Sequence, residues 1–128
     1  MAKKFVTVSR DEREYIPEDW KQDDNPLKFK FKPLSTRQLA KFADSASRMN
    51  INESTIILGT ASTNIDVFRT AVSGWENFIV DDKEYPFKKA SNGLIPEEVV
   101  DIIGGELVDE VANHILEQSR AGDTEMGN

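Results

Sequence analysis

The chain has 128 residues, a length that fits one domain. Its 23 acidic against 16 basic side chains leave a net charge of -7, which repels phosphate backbones and anionic bilayers, so broad binding to nucleic acid or membrane is disfavoured. With no cysteine, disulfides, thiolate catalysis and thiolate metal sites are excluded.

The opening stretch, MAKKFVTVSRDERE, is basic but has no apolar run behind it, so it does not read as a secretory signal. No segment approaches the roughly 20 apolar residues that span a bilayer. Residues 5–8 alternate Phe, Val, Thr, Val and predict a short strand. Residues 9–26 are polar, with two prolines, and predict a long loop with Tyr15, Ile16 and Trp20 as anchors. In LKFKFKPL, Leu27, Phe29 and Phe31 alternate with Lys28, Lys30 and Lys32, a period-two signal for a half-buried strand. Its lysine row fits an edge strand protected from aggregation by charge, or a basic stripe for an acidic partner.

Ser35 with Gln38 matches a capping box and opens a helix carrying Leu39, Ala40, Phe42, Ala43 and Ala46, fading near Met49. The same stretch resembles the first helix and turn of a helix-turn-helix, with its turn at Ala43, Asp44 and Ser45. The following NINESTIILG has no lysine or arginine to reach phosphates, which argues against that reading. Thr63 with Asp66 predicts a second helix start. Ile65, Phe68, Val72 and Trp75 then fall on one helical face, so that helix is expected to run to Trp75, with Gly74 near its end.

Phe78-Ile79-Val80 and Tyr85-Pro86-Phe87 flank an acidic tip and predict a hairpin over 78–87. A turn at Asp82-Lys83 pairs Val80 with Tyr85 and Phe78 with Phe87, all on one face; a four-residue loop is the alternative. Pro96, Glu97 and Glu98 start a helix with Val99, Val100, Ile102 and Ile103, stopped or kinked by Gly104-Gly105. A last helix carries Leu107, Val108, Val111, Ile115 and Leu116 on its apolar face, and Asp109, Glu110, Asn113, His114 and Glu117 on its wet face. Residues 119–128 have no apolar pattern and are expected to form a flexible tail.

The expectation is one domain over 1–128: strands and a long loop in 1–34, then a helical body over 35–118 with the hairpin inside it. The fold class is α+β, mainly α-helical. Phe68, Val72, Trp75, Phe78 and Phe87 are its expected core, with Trp75 closing the space between its helix and the hairpin. Catalysis is not expected. His114 stands alone with Glu110 and Glu117 one turn away, too few ligands for a metal. No nucleophile elbow, Walker loop or dinucleotide fingerprint is present. No catalytic residue, metal or cofactor is assigned.

The order of parts over about residues 34–118 resembles the tail assembly chaperones of long-tailed bacteriophages. Those proteins often show a Val-x-x-Trp element, a short acid-rich hairpin ending in Pro-Phe, and an acidic-apolar helix. The matching residues are Val72, Gly74, Trp75, Asp81, Asp82, Pro86 and Phe87, followed by 96–103. The resemblance implies a chaperone that binds the tape measure protein, and other tail proteins in some cases, and keeps it dispersed in the host bacterial cytoplasm, absent from the mature virion. A homo-oligomer is compatible with that role. The expected partner surface is the exposed side of the last two helices and the hairpin, with Val100, Ile103 and Leu107 as the expected partner-binding residues, an apolar strip beyond the core. The alternatives are a structural phage component, such as a head-tail connector or tail subunit, and a helix-turn-helix regulator.

Overall fold

The computed structural model describes residues 11–49 and 61–120. The strand expected at 5–8, the segment 50–60 and the expected tail from 121 on lie outside the described residues. Ser119, expected in that tail, is instead buried at the end of the last helix, where its hydroxyl accepts from the Leu34 amide and donates to the Ile115 carbonyl. Within the described residues the chain is α+β, with four α-helices and short antiparallel strands.

The elements in chain order are β1 (Arg13–Tyr15), a 3-10 turn (Glu18–Trp20), β2 (Lys28–Phe31), α1 (Thr36–Met49), α2 (Ala61–Ala71), β3 (Val72–Glu76), β4 (Ile79–Val80), β5 (Lys83–Glu84), α3 (Glu97–Ile103) and α4 (Gly105–Ser119). Strands β1, β2 and β3 form one antiparallel sheet in that order, and β4 pairs with β5 in a separate hairpin. The alternation in β2 works as expected: Leu27, Phe29 and Phe31 are buried. Phe29 meets Phe68 of α2 edge-on at 5.6 Å, and Phe31 meets His114 of α4 edge-on at 5.5 Å. The sheet therefore lies with one face on the α2–α4 pair, and α3 and α1 pack beside that pair.

Several expectations are corrected. The long loop contains β1 and the 3-10 turn, because Arg13 and Tyr15 find partners on α4 while Glu14 faces out. Strand β2 is central rather than an edge. Its lysines face acids of this same chain: Lys28 Nζ lies 3.4 Å from Glu14 and 3.9 Å from Glu76, and Lys30 Nζ 3.7 Å from Glu76. Thr63 is no helix cap; the chain is already helical at Ala61, and Thr63 is buried inside α2.

The larger correction concerns Val72 and Trp75. Helix α2 ends at Ala71, and both residues belong to β3. The pairing runs Phe29 to Trp75, Lys30 to Gly74, then Phe31 to Val72, leaving Ser73 as the extra residue of a β-bulge. A bulge inserts one residue and restores the inward face three positions on. A spacing of three thus mimics a helix while serving a strand. Phe68, Val72, Trp75 and Phe78 are all buried as expected, and Phe87 is half-buried against them.

The capping box forms as the spacing predicts. Ser35 Oγ accepts from the Gln38 amide at 3.2 Å, and Gln38 Oε1 accepts from the Ser35 amide at 2.9 Å. Helix α1 continues through Ala43, Asp44 and Ser45, where a helix-turn-helix would need its turn.

Candidate functional site

Trp75 sets the position of the hairpin. Its ring meets Phe29, Phe78 and Phe87 edge-on at 6.4, 5.1 and 4.7 Å, and its Nε1 donates to the Tyr85 carbonyl at 2.7 Å. Aromatic pairs of this geometry add about 0.5–1.5 kcal/mol each beyond burial. Trp75 thus joins the sheet, rather than a helix, to the hairpin.

The hairpin turns at Asp81-Asp82, one residue earlier than Asp82-Lys83. Val80 pairs with Lys83 and Ile79 with Glu84, and the Tyr85 amide donates to the Phe78 carbonyl at 2.7 Å. Both aspartates have positive φ, 51° and 65°, as a two-residue type I′ turn requires, and aspartate tolerates that region better than most residues. Relative to the expected register, one strand slides by two residues. A slide of two preserves the face, so Phe78, Val80, Tyr85 and Phe87 still turn toward the core. Ile79 points the other way and is 57% exposed.

On the opposite wall, Gly104 makes the corner between α3 and α4 with φ of 90°, a conformation that suits glycine. The corner presents Ile102, 44% exposed, with half-buried Ile103 and Leu107. Hairpin, corner and the Trp20 region enclose a groove of about 540 Å³. A second concavity of about 330 Å³ adjoins it, sharing Trp20, Ile103 and Leu107. Asp23 and Asp81 line the first, and Asp19, Glu106 and Glu110 the second; no lysine or arginine lines either among the described residues.

Two of the three expected partner-binding residues are brought together here. Ile103 and Leu107 line the groove, whereas Val100 is buried in the core beneath it, because its side of α3 faces inward. Ile79, Ile102 and Trp20 are the groove residues missed by the expected strip. Ile79 and Ile102 carry a sequence signal in hindsight: each is a large apolar side chain where its element's periodicity calls for a polar one.

His114 does not lie on a solvated face, contrary to expectation. It stacks on Tyr15 at 4.3 Å and 29° and packs against Phe31. Burial lowers its pKa, opposed by the charge of Glu117 and assisted by Arg13 and Lys21. Glu110 accepts from Tyr15 Oη at 2.6 Å and from the Glu18 amide at 3.0 Å. Burial first, then the Glu110 hydrogen bond, raises the Tyr15 pKa above its ordinary value. These side chains fasten β1 to α4. Among the described residues, no cluster of three or more His, Asp and Glu is placed to hold a metal, and no helix is long and apolar enough to cross a membrane.

No family model, no curated protein and no solved structure matches this chain.

Proposed function

We propose that this protein is a tail assembly chaperone of a long-tailed bacteriophage, which covers apolar surface of the tape measure protein during assembly. The observation that supports the reading best is the open groove, where Ile79 and Ile102 stand 57% and 44% exposed beside Trp20, Ile103 and Leu107. Contiguous exposed apolar residues with a polar rim mark interaction surfaces. The mechanism is reversible burial: the groove takes apolar side chains from the client, and the net charge of -7 keeps the complex dispersed. No bond is made or broken.

Co-expression with individual tail proteins tests the proposal. The tape measure protein is expected to stay soluble only when this chain is present, and purified particles are expected to lack it. Recovery of the chain as a stoichiometric component of finished particles would overturn the chaperone role.

A further inference from the structure

We propose that the groove takes an amphipathic helix whose apolar stripe is bordered by lysine or arginine. This deepens the chaperone reading by giving the client segment a chemistry, and it rests on the groove being the client surface.

The argument starts from the mismatch between floor and rim. The floor is lined by Trp20, Ile79, Ile102, Ile103 and Leu107, from the hairpin, the α3–α4 corner and the 3-10 turn. An apolar groove of this kind takes a stripe of residues on one helical face, at spacings of three and four. The two adjoining concavities carry five carboxylates and no cation among the described residues. Glu110 is answered by Tyr15 and the Glu18 amide, but none of the ion pairs in the described residues involves Asp19, Asp23, Asp81 or Glu106. An apolar client that covered the floor alone would draw water away from these carboxylates without replacing it, and desolvating unpaired charge is costly. Lysine or arginine beside the stripe removes that cost, because their stems lie along apolar surface while their heads reach the rim. A second copy of this chain, at -7, brings the wrong sign.

Three synthetic helical peptides test the proposal, sharing one leucine stripe and differing only in flanks of lysine, glutamine or glutamate. Each is titrated into the full chain, with Trp20 at the groove as the fluorescent reporter and calorimetry alongside. The lysine-flanked peptide is expected to bind at least about tenfold tighter than the glutamate-flanked one, with the gap shrinking as salt is raised. The paired variant Ile79→Thr, Ile102→Ser should weaken all three, since both positions are exposed and the changes leave the core intact. The paired variant Asp23→Asn, Asp81→Asn should narrow the gap between flanks; asparagine also accepts the positive φ at position 81. Equal affinity for all flanks would overturn the proposal. So would peptide binding that is indifferent to the isoleucine variant, or a dimer that this variant abolishes.

Co-expression separates this from the chaperone reading. If the isoleucine variant rescues the tape measure protein as well as the unaltered chain does, the groove assignment falls and the chaperone role stands. If the lysine-flanked peptide binds as described but no tail protein is rescued, the groove assignment stands and the chaperone role falls.

Discussion

The outer face of the sheet and the groove are both charged, and they differ in what answers the charge. On the sheet, Lys28 and Lys30 lie between Glu14 and Glu76 of the neighbouring strands. In the groove and the concavity beside it, none of the five lining carboxylates has a cationic partner among the described residues, Glu110 being held by the Tyr15 hydroxyl and the Glu18 amide, and Ile79 and Ile102 face outward. The charge of Lys28 and Lys30 is compensated within the sheet, so these two lysines make a poor docking stripe despite their prominence in the sequence. The groove's field is left for another molecule.

That contrast breaks most completely if its hinge is removed. Trp75 fastens the hairpin wall of the groove to the sheet, and Trp75→Ala should cost about 3–5 kcal/mol in denaturant unfolding. Unaltered stability would mean that the hairpin is held by something else. Next in size is the fastening of β1 to α4. Tyr15→Phe removes the hydrogen bond to Glu110 and should cost about 1–2 kcal/mol, being a bond to a charged acceptor at a half-buried site. The same contact gives a pH signature. His114 has its folded pKa below the ordinary value of about 6.5, so its contribution to stability is fully present above that pH and is lost as pH falls through the folded pKa. Melting temperature should therefore drop on mild acidification, and His114→Gln should flatten that part of the profile. An unchanged slope would place the acid sensitivity elsewhere.

Smaller effects sharpen the comparison itself. Lys28→Gln should cost less than about 1 kcal/mol, because partly exposed pairs are weak and screened. Ile79→Thr should leave stability within about 0.5 kcal/mol, as expected for an exposed position outside the core. A large loss from Ile79→Thr would make the groove floor part of the core and remove it as a docking surface.

Much of this architecture was legible in the sequence for local reasons. The capping box, the alternation of β2, the proline start of α3, and the break at Gly104-Gly105 all depend on side chains within a turn or two of one another. The helix assigned to Val72 and Trp75 failed because helical periodicity and a bulged strand share a spacing of three, and only pairing with β2 distinguishes them. The hairpin register failed because two adjacent aspartates adopt positive φ, which their identity permits but does not require. At the groove, Ile103 and Leu107 were legible as apolar residues near a helix break, while Val100, at the same periodicity, turned out buried.

By itself, then, the sequence determined the composition-level exclusions, the α+β class and the apolar faces of β2 and α4, since these follow from side-chain types and short-range periodicity. Tertiary structure alone decided which strand is central, that β1 pulls Tyr15 onto His114, and that the hairpin and the α3–α4 corner enclose an acidic groove. Those outcomes depend on contacts between residues far apart in the chain, whose relative placement no local pattern encodes.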